Sequence, residues 1–359
     1  MEITFPLYTN ESLKALDAAR LKRGPSERLA SVRHAAQTVH EEMMSASPVR
    51  FYRSFDLVRV PYPLRFALRE ACTVPIPLVH IMNRMFIVQF DSPGGIKTLV
   101  VSPSDPEANS ETPFFKRMTD AMGPLKNRLS PVLAPIVRSV SEALDLAGIS
   151  PGQVDYVTYD HLHTQDIRRW FGDSARPGFF PNAKLLVMRQ EWISAGALLA
   201  PQRDWYCPAG LKDVPESRVI FLDGSTLLAP SVALVATPGH TEGNHSIAVR
   251  TDEGVMVSSE NGVAAEAYAP ECSGIPGMAR YARDTGMEVV LNGNTMEGGL
   301  DQYLSMIAEK TIAGPSMRRP DLPNVVPSSE LTHYWMFPGV RPSFTFGELS
   351  FGAPYIREA

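Results

Sequence analysis

The stretch VDYVTYDHLHTQDIRRWFG (154–172) decides how this chain is read. VDYVTY is an apolar run of strand length that ends near Asp160. His161 and His163 follow, two residues apart. On an extended backbone that spacing puts both side chains on one side, whereas a helix would need three or four. The pair can therefore grip one metal ion from a strand end or loop. Two distant pieces carry matching chemistry. ATPGHTEGNHS (236–246) places His240 after a strand and a Pro-Gly turn, which presents a side chain at a sheet edge. VMVSSENG (255–262) ends a strand at Glu260. Two close histidines, a distant one and a carboxylate form a nitrogen and oxygen ligand set suited to zinc or iron.

Outward from these pieces, short apolar segments alternate with turns and helices. AKLLVM (183–188), SRVIFL (217–222) and VALVAT (232–237) read as strands, and SIAVRT and GVMVSS form a hairpin across DEG (252–254). EVVLNG (288–293) reads as a further strand. MFIVQF (85–90) and KTLVVS (97–102) make a hairpin around DSPGG. Helices are predicted within 10–46, 112–123 and 128–148, the last stopped by Gly148, and in DIRRWFG and LDQYLSMIAEKT. Residues 49–81 are rich in Pro and aromatics and read as irregular structure with short strands. The similar stretch from about Pro315 reads as an arm over the main body. Strands mixed with helices argue for a layered α/β or α+β fold.

The totals narrow the function classes. The chain has 359 residues, 44% hydrophobic and 20% charged, ordinary for a globular protein. A net charge of −5 argues against a nucleic-acid partner. No apolar run reaches membrane-spanning length, and the first residues lack the order of a secretory signal, so a cytoplasmic location and no membrane partner are expected. Cys72, Cys207 and Cys272 are scattered and odd in number, so they read as reduced thiols.

Order, spacing and context resemble the metallo-β-lactamase superfamily of metallohydrolases, from about residue 84 to about residue 300. The resemblance implies an α+β fold, a four-layer αββα sandwich that binds one or two metals at one edge of its paired sheets. It sets a helical and irregular N-terminal extension (1–83) before a metallo-β-lactamase-like domain (84–314) and a Pro- and aromatic-rich C-terminal arm (315–359). The family's first motif is HxHxDH, matched by His161 and His163, and its PGHT histidine is matched by His240. The second metal site departs from the pattern. Gln165 stands at the motif aspartate and Asp166 at its last histidine. Glu260 stands at the bridging aspartate, and Asn294 falls where a late histidine is expected. Glutamine and asparagine bind cations weakly and carry no charge. The expectation is one tightly held divalent metal on His161, His163, His240 and Glu260, zinc ahead of iron or manganese. A second would bind weakly or not at all. His245 and Asn294 are candidates to support the ligands from behind.

A divalent metal on neutral imidazoles lowers the pKa of a bound water from about 16 to about 7. The hydroxide so formed can attack an ester, lactone, thioester or amide. Gln165 could hydrogen-bond that water but not take its proton, and Asp166 is the nearest candidate base in sequence. The expectation is thus a metal-dependent hydrolase with Gln165 and Asp166 in catalytic roles. Its small-molecule substrate would be apolar or aromatic, covered by segments 49–81 and 315–350. Two alternatives stay open. One is a mononuclear iron dioxygenase using His161, His240 and Glu260 as a facial triad. The other is a non-catalytic binding protein on a decayed fold. Nuclease chemistry is disfavoured, since it normally needs two metals. The long tail could exchange between subunits of a homo-oligomer.

Overall fold

The computed structural model describes residues 10–293 and 298–357. In chain order the strands are β1 (Phe51–Pro63), β2 (Leu78–Ser92), β3 (Gly95–Val101), β4 (Tyr156–Thr158), β5 (Lys184–Met188), β6 (Val219–Leu222) and β7 (Thr226–Ala229). Then come β8 (Val232–Ala236), β9 (His245–Thr251), β10 (Gly254–Ser259), β11 (Val325–Pro327), β12 (Ser329–Thr332) and β13 (Ser350–Gly352). They form two sheets. The larger runs β13-β1-β2-β3-β4-β5-β6, with β12 also on β2; the smaller runs β11-β10-β9-β8-β7.

Alternation along the strands builds the layers. Phe86, Val88, Leu99, Val101, Leu186 and Met188 face Val232, Leu234, Ile247, Val249 and Met256 between the sheets. Their neighbours Ile87, Val100, Leu185 and Val187 point the other way, onto Val140, Leu144 and Trp170. Ala233, Val235, Ala248, Val255 and Val257 turn outward onto helices Glu11–Ala19, Pro25–Ser45 and Gly299–Ala313. A period of two on each strand thus gives helices, sheet, sheet, helices. Local signals set the helix ends. Asn10 accepts the Ser12 and Leu13 N–H groups, Ser139 and Glu142 close a capping box, and Gly148 ends its helix at φ 67°.

Four expectations need correction. Residues 49–81 contain all of β1 and the start of β2, which pair over twelve positions. Pro61 and Pro63 are tolerated because β13 covers β1 only at 51–53, leaving the proline end without a second neighbour. The boundary expected at 83/84 falls inside β2, so the N-terminal segment shares a sheet with the body. EVVLNG is not a strand. Val289 and Val290 are buried, but the N–H groups of Val290 and Asn292 bond to carbonyls outside any strand, those of Ala267 in a 3-10 turn and Asn261 in a loop. The tail is woven in rather than laid over: β11 pairs β10, β12 pairs β2 and β13 pairs β1.

Between β3 and the helix Val140–Ala147 the chain inserts a different kind of segment. Its helices Pro113–Ala121 and Lys126–Leu133 bury no residue fully. Among the described residues, no helix is long and apolar enough to cross a membrane.

Candidate metal centre

The loops that follow β4, β8 and β10 leave strand ends at one edge of the sandwich. The first two bring His161, His163 and His240 together, with one ligand atom from each within 4.8 Å of the others. Ring centroids lie 5.1, 4.7 and 5.0 Å apart. His163 Nδ1 is 3.3 Å from His240 Nε2.

Buried polar groups hold these loops in register. The Glu191 carboxylate accepts from the Leu162 N–H at 2.7 Å, the Tyr206 hydroxyl at 3.2 Å and the Thr241 hydroxyl at 2.6 Å. One side chain thereby ties the HxH loop to the PGHT loop. A Cβ at Gly243 would lie 2.1 Å from the Glu191 nitrogen, so only glycine permits that approach. Gly239, at φ 145°, is needed for its conformation and because a Cβ would meet Gln302 at 2.2 Å. His240 Nδ1 donates to the Asn292 carbonyl at 3.1 Å, which fixes the tautomer and leaves Nε2 facing the other rings. Beneath, Glu309 accepts from Ser246, Ser259, Asn261 and Tyr268.

The rings differ in charge. Burial, then His240 and His161, push His163 well below its ordinary value. Burial, then His161, push His240 down to about 3. Burial also opposes charge on His161, but Asp160 overrides it and lifts the ring to about 9. His161 Nδ1 is 3.1 Å from Asp160 Oδ1, in ion-pair range without hydrogen-bond alignment. Two imidazoles are thus neutral, as metal ligation requires, and the third holds a proton that a cation would displace. His163 Nε2 and His161 Nδ1 are buried without hydrogen-bond partners. Three convergent nitrogens, on loops tied together by Glu191 and with His240 fixed from behind, fit a divalent metal such as zinc.

No family model matches the sequence. An N-acyl homoserine lactonase of Bacillus cereus is 25% identical over 114 residues, 32% of this chain, and the match spans 40% of that relative's length. A probable metal-dependent hydrolase from Staphylococcus aureus overlays 72% of this chain and 83% of its own, at 12% identity and TM-score 0.50. A dizinc quorum-quenching lactonase with bound product covers 87% of this chain and 97% of its own, at 12% identity and TM-score 0.49. The Staphylococcus overlay joins a four-layer sandwich with its histidine loops at one sheet edge. The chain has the metallo-β-lactamase fold.

Within that fold the remaining expected residues take different places. Asp166 is not a base facing the site. Arg168 Nε donates to both its oxygens, at 2.9 and 3.1 Å, the Arg168 backbone N–H adds a third bond, and the carboxylate is absent from the cavity wall. Its two oxygens are occupied by a cation two residues away. Arg169 pairs with Asp105. Gln165 does line the cavity. Glu260 lines it too but lies outside the 4.8 Å histidine cluster, so neither the four-ligand set nor the facial triad is assembled among the described residues. Burial, then Asp160, push Glu260 up to about 8, and its Oε2 is buried without a partner. His245 supports the histidine loop through its backbone N–H, which donates to the Asp160 carbonyl at 2.9 Å; its ring meets Thr158. Asn294 lies outside the described residues.

The histidines stand in a cavity of about 820 Å³. Val58, Val60, Tyr62 and Ile81 line one side, and Met118, Met122, Leu133 and Ala134 from the inserted segment line another. The tail contributes Ser328 and Ser329, so the inserted segment, not the tail, supplies the apolar cover. Sequence reasoning missed Asp160, Glu191 and Asn109. Asp160 directly precedes the HxH pair and Glu191 follows a strand, both usable signals; Asn109, on a helix 52 positions before His161, offers none.

Proposed function

We propose that this protein is a metal-dependent hydrolase that opens an ester or lactone of a small molecule with an apolar body, using one tightly held divalent metal. The observation that carries the reading is the cluster of three imidazole nitrogens within 4.8 Å on the wall of a largely apolar cavity. The partial likeness to an N-acyl homoserine lactonase adds support for the lactone class. His161, His163 and His240 hold the metal. When bound, the metal supplies Lewis acidity and a water of lowered pKa.

The rest falls to the chain's own groups. Water oxygen bonds to the acyl carbon, the bond from that carbon to the alkoxy oxygen breaks, and the water proton ends on the departing oxygen. Glu260 lines the same cavity, its Oε2 makes no hydrogen bond within the protein, and it is the group we assign to carry the travelling proton, since a bound cation nearby would favour its ionised form. Asp160 holds His161 in place, and Ser328 donates to Asp160 Oδ2 at 2.6 Å. The apolar wall seats the substrate body and excludes water.

Elemental analysis of protein purified without added metal tests the reading, together with turnover of N-hexanoyl homoserine lactone and an aryl ester. About one metal per chain and hydrolysis abolished by a chelator are expected. A chain that binds no divalent metal and hydrolyses neither substrate ends the proposal.

A further inference from the structure

We propose that Gln165 is a hydrogen-bond donor aimed at the substrate carbonyl, oriented by the Asp166 backbone through Asn109, and not a metal ligand; this rests on the hydrolase reading. The chain of bonds has one unambiguous start. The Asp166 backbone N–H can only donate, and Asn109 Oδ1 lies 2.9 Å from it. The Asn109 amide nitrogen must then face the other way, where it lies 2.8 Å from Ser104 Oγ and 3.2 Å from Gln165 Oε1. An amide nitrogen only donates, so Gln165 has to meet it with oxygen. That leaves the Gln165 nitrogen on the far side. Among the described residues no protein group accepts from it, it is not sealed from solvent, and the side chain lines the cavity with all three histidines. Both amides are buried, so the relay holds its direction away from bulk water.

The consequence is chemical. An amide ligates cations through its oxygen, and here that oxygen is turned away and occupied. A carboxylate at this position would offer the cavity an acceptor whichever way it turned; this glutamine offers a donor. Its partner is therefore a carbonyl or oxyanion. As water adds to an ester or lactone, negative charge grows on the carbonyl oxygen, and a donor already aimed there stabilises it without reorganisation.

Wild type, Gln165→Leu and Asn109→Asp are loaded with zinc and analysed for metal per chain. Hydrolysis of N-hexanoyl homoserine lactone and calorimetric binding of hexanoate are measured on the same samples. Asn109→Asp keeps the glutamine but makes its neighbour an acceptor, which draws the amide nitrogen inward and turns the oxygen to the cavity. All three proteins should hold equal metal. Both variants should lose kcat by about a hundredfold with KM within about threefold, and bind hexanoate about tenfold more weakly. A metal equivalent lost in Gln165→Leu, or variants within about twofold of wild type in kcat and hexanoate affinity, overturns the donor role. A wild type that binds hexanoate but hydrolyses no lactone sinks the hydrolase reading alone; weaker hexanoate binding in both variants then still supports the donor. A wild type that neither binds hexanoate nor turns over overturns both.

Discussion

The cavity has a floor and a cover built on opposite principles. On the floor, the histidine loops are crossed by buried polar bonds from Glu191, Asn261, Asn292 and Gln302, with Glu309 closing the layer below. The cover, helices Pro113–Ala121 and Lys126–Leu133, buries no residue fully and leaves Leu129 37% and Val132 52% exposed. Trp205 joins the two, stacking on Phe114 at 4.3 Å while lining the cavity. Groups that must converge within a few tenths of an ångström sit on loops held by buried hydrogen bonds. Groups that only need to enclose an apolar body sit where opening costs little.

The contrast breaks most completely at the histidines. We expect His163→Ala or His240→Ala to lose metal affinity by more than the roughly hundredfold that loss of a supporting partner costs, and hydrolysis with it. Elemental analysis and turnover measured together check this. Full metal retention in both variants would mean that the ion sits elsewhere.

Glu191 ranks next. Glu191→Ala leaves the Leu162 N–H and the Thr241 and Tyr206 hydroxyls without this acceptor inside the protein. A loss of at least about 3 kcal/mol is expected in denaturant unfolding, with Glu191→Gln milder because one oxygen remains. A loss below about 1 kcal/mol would show that water replaces the carboxylate and that the floor is softer than its bonds suggest.

These two regions were unequally legible in the sequence. His161 and His163 could be read because a spacing of two has one meaning on an extended chain, and His240 because a Pro-Gly turn after a strand points a side chain outward. The layered fold followed from alternating strands such as VALVA, whose two faces enter different cores. Asp166 was misread because sequence shows a carboxylate near the site but not that Arg168 folds back onto it. EVVLNG has a strand's composition, but a strand also needs a ladder partner, which composition cannot reveal. The cover was legible as helices and not as a wall, since what a helix faces depends on where its insertion lands.

The cover's wall gives a smaller effect that sharpens the comparison. Met118 and Met122 line the cavity, and neither is fully buried. The double change to Ala should raise KM for a hexanoyl or longer substrate by about tenfold, at about 0.8 kcal/mol per lost methylene contact, and leave an acetyl substrate nearly unchanged. Unfolding free energy should barely move. Equal effects on short and long substrates would place the apolar body elsewhere in the cavity.

The smallest effect is expected where the cover is tied from outside. Arg117 donates twice to Asp204, at 2.8 and 2.7 Å, beside Trp205, but both side chains are more than half exposed. Such a pair contributes less than about 1 kcal/mol, because water and salt screen it and two long side chains are held in one geometry. Arg117→Ala should therefore leave stability within that margin and kcat unchanged, since no floor residue is touched. If the pair biases the cover toward closure, KM rises by at most about fivefold, the factor equivalent to that free energy. Hydrogen exchange reads the same bias directly: amides of 113–133 should exchange faster in the variant, while those of β8 to β10 keep their wild-type rates. A stability loss above about 2 kcal/mol would overturn the division itself, because it would make the cover a structural layer whose removal the floor feels.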